Sequence, residues 1–211
     1  ALNLIWKLIH LRKTIKSLNP DVVISFLTTV NVASALSTIG MQFPLIISER
    51  TWPPFHGLSN KLFWMYRILF KNVDRVIVQT DKSKVWLSQN FPECKVAVIP
   101  NPIAYPLPLE NGQSISLNKI TPQNKKVILA SGRLHKFKQF DLLIRAFSQI
   151  KENYPDWNLV ILGDGEEKSS LKQLISDLEI SDRVFFPGRV GNVAEWYEKA
   201  DLFVMSSLVE G

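Results

Sequence analysis

Short runs of Val, Ile and Leu alternate along this chain with longer segments whose apolar residues recur at helical spacing, and that alternation leaves few folds open. The spacing predicts helices over 2–17, 30–39, 61–70 and 82–89, with strands over 22–26, 45–47, 76–78 and 96–99. The pattern then breaks over 100–122, where Pro102, Pro106 and Pro108 precede a polar run through Asn111, Gly112, Gln113 and Ser114. Proline fixes φ and removes a donor, so this stretch reads as a linker rather than an element. Beyond it, strands over 127–130, 159–162, 184–186 and 202–205 alternate with helices over 139–150, 168–178 and 193–199. Strand–helix–strand order implies parallel sheets with helices on both faces. The expected fold class is therefore α/β, with two doubly wound parallel-sheet domains over 1–104 and 124–211 joined by a linker over 105–123.

Composition narrows the chemistry. With 211 residues, 46% of them hydrophobic and 21% charged, the chain can fill one large core or two small ones, and two fit the alternation better. A formal net charge of +6 favours an anionic partner: nucleic acid, an acidic membrane surface or a phosphorylated substrate. Cys94 is the single cysteine, which excludes a disulfide framework or a thiolate metal cluster built within the chain and points to a reducing, cytoplasmic setting. No apolar run reaches the roughly 18–20 residues of a membrane span. The stretch over 1–11, with Lys7 and His10 interspersed and Arg12 following, reads as an amphipathic helix rather than a signal peptide, and the absence of an initial Met makes a fragment the expectation.

The stretch ASGRLHKFKQFDLLIRAF places Arg133 and Lys138 between the exit of a buried strand and the start of a helix. In open parallel sheets that crevice is where ligands bind, and a helix N-terminus adds unsatisfied N–H groups, so the pair is suited to phosphate. Every strand exit of the second half carries similar material: Gly132 and Arg133, then Gly163-Asp164-Gly165, then Gly188-Arg189-Val190, then Ser206, Ser207 and Glu210. Taken singly, Asp-Gly is an ordinary turn dipeptide, and lone Arg, Lys and Glu residues are usually solvated surface charges. Their repetition at successive strand exits is what points to a site. No GxGxxG follows a strand, so a dinucleotide cofactor has little support.

These blocks, together with LVILGDGEEKSSLKQLISDLEISDRVFFPGRV and ADLFVMSSLVEG, resemble the donor-binding domain of the retaining GT-B glycosyltransferases (the family 4-like, group 1 transferases). VDRVIVQTDKSKVWLSQNFPECKVAVIPNPI is similar to that family's sheet end before the hinge, with Asn101 in its usual asparagine position. The resemblance covers nearly the whole chain and implies the GT-B architecture: two Rossmann-like domains facing a cleft, acceptor-side first and nucleotide-sugar-side second, both incomplete here. It also implies an inactive fragment of an active parent.

By the same resemblance Arg133 and Lys138 would bind the diphosphate, with Gly132, Gly163, Gly165 and Ser207 also at the donor. Gly188, Arg189 and Val190 would line the nucleobase, and Glu210, the first glutamate of the family's Glu-x7-Glu motif, would contact the donor sugar. Breaking a glycosyl–phosphate bond leaves negative charge on the departing diphosphate, so two fixed cations can do there what a metal does elsewhere. No Asp-x-Asp pair occurs, and no metal or other cofactor is expected.

Many relatives carry a His after the strand that here reads LIISERTWPPFH. In its place stand Ser48, Glu49 and Arg50, with His56 further on. Glu49, a catalytic candidate, or Arg50 would then take the equivalent position near the donor sugar, or His56 would swing in, set against the simpler reading of a local Glu49–Arg50 ion pair and a loop histidine. His10 and His135 show no pattern for metal or acid–base work. The basic aromatic segment over 61–75, with Phe63, Trp64, Tyr66 and Phe70 among Lys61, Arg67, Lys71 and Arg75, reads either as a face for anionic membrane at the inner side of the plasma membrane or as core packing.

The expected activity is metal-independent transfer of a hexose from a nucleotide-sugar, UDP-linked by the family's habit, to a glycan or polyprenyl-linked acceptor, as in polysaccharide or lipopolysaccharide biosynthesis. The alternatives are a UDP-sugar epimerase of the same fold and a non-catalytic nucleotide or nucleic-acid binding module. The last would need a basic stripe with stacking aromatics, which the sequence does not show, so no nucleic-acid partner is expected.

Overall fold

The computed structural model describes residues 2–50, 60–107, 113–121 and 124–208. The chain divides after Pro102 into two compact units. In the first, β1 (Val23–Phe26), β2 (Leu45–Ser48), β3 (Arg75–Val78) and β4 (Val96–Val98) form one parallel sheet in the order β1-β2-β3-β4. The helices are α1 (Leu2–Leu18), α2 (Thr28–Thr38), α3 (Asn60–Leu69) and α4 (Asp81–Asn90). Thr80 caps α4, its hydroxyl accepting from the Ser83 N–H at 3.2 Å.

Period-2 alternation sorts the strand residues between the two faces of this sheet. Leu45, Ile47, Val76 and Val78 are fully buried against Ala35, Tyr66, Phe70, Leu87 and Phe91, whereas Ile24 and Phe26 stay 55% and 53% exposed. Helices on both faces were expected. Right-handed crossovers that step always to the next strand put α2, α3 and α4 on one face only, which explains the difference among the described residues.

The aromatic segment over 61–75 falls mostly into this core. Tyr66 and Phe70 are buried and Phe63 packs beside them, while Trp64 and Ile68 point out at 60% and 63% exposure, with the Arg67 guanidinium 5.3 Å above the Trp64 ring. Among the described residues no helix is long and apolar enough to cross a membrane.

In the second unit β5 (Lys126–Ser131), β6 (Trp157–Leu162), β7 (Val184–Gly188) and β8 (Leu202–Phe203) pair in parallel as β7-β6-β5-β8. The chain steps outward to β7, then returns past β5, so the connections cover both faces. Ile128 and Ala130 face α5 (Phe140–Ile150) and α6 (Lys168–Asp177); Val127 and Leu129 face the Trp196 side, on α7 (Val193–Lys199). Each such buried Ile, Leu or Val contributes about 1.5–3 kcal/mol relative to exposure.

Part of the stretch read as linker is folded. Leu117–Lys119 form a 3-10 turn, Leu117 is buried, and Ile115 exchanges two bonds with the Asn192 side chain and accepts from Trp196 Nε1 at 3.0 Å. Isolated apolar residues between polar ones carry no period, so the sequence could not assign them. The two units also share a device: an N–H in the first two residues of an interior strand is held by an aspartate just before a neighbouring strand, Leu45 by Asp74 at 2.7 Å and Val127 by Asp201 at 2.8 Å.

Candidate functional site

Two glycines set how closely the strand exits of the second unit approach. The Gly132 N–H donates to the Leu162 carbonyl at 3.0 Å, and the Gly163 N–H to the Gly188 carbonyl at 2.8 Å, so the ends of β5, β6 and β7 are laced together. Gly163 has φ +127°, and a Cβ there would lie 1.9 Å from the Gly132 carbonyl oxygen; one at Gly165 would lie 2.4 Å from that of Leu134. Gly163-Asp164-Gly165 is therefore more than a turn, because the missing Cβ atoms of its two glycines let the two loops touch. Between them opens a cleft of about 300 Å³ walled by Gly132, Arg133, Gly163, Asp164, Arg189 and Val190 among others. A second hollow of about 310 Å³ lies beside α5 and α6, but Asp141 and Glu167 stand in its wall and offset its Lys136 and Arg145. The strand-exit cleft fits an anion better.

Arg133 reaches this cleft with its side chain 71% exposed. Its Nε and Nη2 both lie 3.2 Å from Glu166 Oε2, while the other Glu166 oxygen is 3.4 Å from His135 Nε2. The Glu166 carboxyl sits below its ordinary range, first through its own backbone N–H and then through the charges of Arg133 and His135. Asp164 is lowered as well, chiefly by the Gly165 N–H and by Lys168, with Arg189 adding a smaller share. Lys138 belongs to a 3-10 turn, Lys136–Lys138, and its Cε would be 3.4 Å from a Cβ at Gly132, so its stem runs along the same loop as Arg133.

The segment after β8 is tied to that turn by Ser206 Oγ donating to the Lys138 carbonyl at 2.7 Å and the Leu208 N–H donating to the Phe137 carbonyl at 2.9 Å, which brings Ser207 alongside. The structure thus places Gly132, Arg133, Gly163, Arg189 and Val190 in one wall, with Lys138 and Ser207 adjacent. Gly165 and Gly188 act on the loops from outside that wall, and Glu210 lies outside the described residues.

In the first unit Glu49 turns inward. It is 3% exposed, its Oε1 accepting from Asn31 Nδ2 at 2.8 Å and its Oε2 from the Thr28 hydroxyl at 2.9 Å. Burial raises its carboxyl pKa, with these two hydrogen bonds opposing. Burial, then the charge of Glu49, pushes the Tyr66 phenol up to about 12. The simple Glu49–Arg50 ion pair does not form, because Arg50 donates instead to Asn101 Oδ1, with the Gln79 amide 2.7 Å from the same atom. Arg50, Gln79 and Asn101 thus make a polar group at the strand exits of this unit. His56 lies outside the described residues. Sequence reasoning missed Glu166, Asn31 and Thr28, none of which carries a spacing signal.

Residues 1–104 match glycosyltransferase family 4 and residues 114–211 match glycosyl transferases group 1. An uncharacterised glycosyltransferase of Haemophilus influenzae is 30% identical over 206 residues, covering 95% of this chain and 54% of that protein. A Campylobacter jejuni alpha-1,4-N-acetyl-D-galactosaminyltransferase, named for a diNAcBac-PP-undecaprenol-linked acceptor, is 31% identical over 207 residues, covering 97% of this chain and 54% of that one.

Among solved structures, the pneumococcal O-GlcNAc transferase GtfA in complex with UDP and GlcNAc aligns with a TM-score of 0.69 at 19% identity, covering 95% of this chain and 40% of that one. Anabaena HepE in complex with UDP aligns at 0.68 and 20% identity, covering 95% and 56%. The chain belongs to the GT-B glycosyltransferases, and it spans about half the length of the curated relatives it matches.

Proposed function

We propose that the protein transfers a sugar from a nucleotide-sugar, with UDP as the favoured nucleotide, to a lipid-linked saccharide, retaining the anomeric configuration and using no metal. The observation that carries this reading is the convergence of Arg133 and the Lys138 stem on loops that Gly132 and Gly163 bring into contact at the strand exits. Arg133 offers a planar fork for one phosphoryl group and Lys138 a mobile point charge, and both act on the negative charge that grows as the diphosphate leaves. Gly188, Arg189 and Val190 would bind the nucleobase and Glu210 the donor sugar. The UDP seen in the related folds and the undecaprenol-linked acceptors of the Campylobacter relatives support the donor and acceptor classes. Trp64 and Ile68, exposed beside Arg67, would meet an anionic membrane carrying that acceptor.

Two assays test the reading. The protein is titrated with UDP and with a single-stranded oligonucleotide at two salt concentrations; UDP binding is expected, whereas oligonucleotide binding without UDP binding would reverse the assignment. Product analysis of the full-length protein with a labelled donor separates transfer from epimerisation.

A further inference from the structure

We infer that Glu166 is a positioning residue for Arg133, holding the guanidinium by one edge so that its other edge faces the diphosphate. A guanidinium has two usable forks: a side edge of Nε and Nη2, and an end edge of Nη1 and Nη2. Glu166 occupies the side edge, since both Nε and Nη2 lie 3.2 Å from its Oε2. Arg133 lines the cleft, whereas Glu166 is not among the residues that wall it. Among the described residues no acceptor reaches Nη1, which leaves the end fork for a phosphoryl group.

Glu166 is itself anchored. The Phe137 N–H donates to His135 Nδ1 at 3.2 Å, and His135 Nε2 lies 3.4 Å from Glu166 Oε1. Phe137 also packs against that imidazole at a tilt of 47°, with ring centroids 4.8 Å apart. The turn that carries Lys138 thereby fixes His135, His135 fixes Glu166, and Glu166 fixes Arg133. Both diphosphate cations are set by one short segment. An arginine left loose at 71% exposure would surrender side-chain freedom on binding, and holding it beforehand removes that cost.

The inference rests on the proposed diphosphate role of Arg133, and its test separates the two. UDP is titrated calorimetrically into the unsubstituted protein and into E166A, E166Q, R133A and the R133A/E166A pair. UDP affinity is expected to fall about three- to tenfold in E166A and less in E166Q, whose amide oxygen still accepts from the guanidinium. In the R133A background the Glu166 substitution should change nothing further, a non-additivity that general structural damage would not produce. If E166A leaves UDP affinity unchanged or tightens it, Glu166 is a bystander or a competitor and the inference is wrong while the diphosphate site stands. Failure of the unsubstituted protein to bind UDP overturns both.

Discussion

Replacing Gly163 with alanine drives a methyl group to 1.9 Å from the Gly132 carbonyl oxygen, a backbone atom that cannot rotate away. Real Cβ atoms keep at least 3.0 Å from such neighbours, so the ends of β5 and β6 must part by about an ångström. Holding a non-glycine residue at φ +127° costs about 1–3 kcal/mol, and the forced separation about as much again. For a unit of roughly 100 residues each kcal/mol lowers the unfolding transition by about 4–8 °C, so a drop of at least ~8 °C in the transition of the second unit is expected. Arg133 follows Gly132 directly and moves with it. A displacement on the order of an ångström at a binding group costs up to about a hundredfold, so UDP affinity should weaken about tenfold or more.

Gly188→Ala is the control, because φ is +89° there but nothing lies within 4 Å of the new methyl group. It should show conformational strain alone, about 1–3 kcal/mol, with a smaller loss of UDP affinity. Scanning calorimetry and UDP titration of both variants decide the matter. A Gly163→Ala protein with unaltered transition and unaltered UDP affinity would refute the claim that close loop contact builds the cleft.

Two further outcomes are expected. Burial holds the Glu49 carboxyl above its ordinary 4.5, so the folded first unit binds that proton more tightly than the unfolded chain does. Its stability is therefore greatest below pH 4.5 with respect to this group and declines as pH climbs through the raised value. Glu49→Gln, which keeps an acceptor for Asn31, should flatten that decline in urea titrations across pH, and an unchanged slope would contradict it. Trp64→Ser with Ile68→Ser should reduce co-sedimentation with anionic vesicles several-fold while sparing UDP affinity; equal sedimentation of variant and parent would remove these residues from any membrane face.

The layered α/β plan was legible because apolar runs of strand length and apolar stripes of helical spacing follow directly from which face each residue buries. Val127 to Ala130 show this, alternating between the α5/α6 side and the Trp196 side. Likewise, Arg133 and Gly163 were readable from their places after strands. The partners of those residues were not. Glu166 reaches Arg133 across 33 positions of chain and Asn31 reaches Glu49 across 18, and such pairings depend on loop closure that no local spacing encodes. Ile115 and Leu117 escaped for a related reason, since two apolar residues in a polar stretch look like linker until a neighbouring helix is seen to cover them.

Whether Arg133 and Lys138 hold a diphosphate is tested most directly by calorimetric titration of UDP against uridine, in the unsubstituted protein and in R133A and K138A. Hydrogen bonds to charged groups contribute about 1.5–3 kcal/mol each, so each substitution should weaken UDP about tenfold to a hundredfold while uridine binding stays where it was. Equal UDP affinity in the parent and both variants would contradict the account.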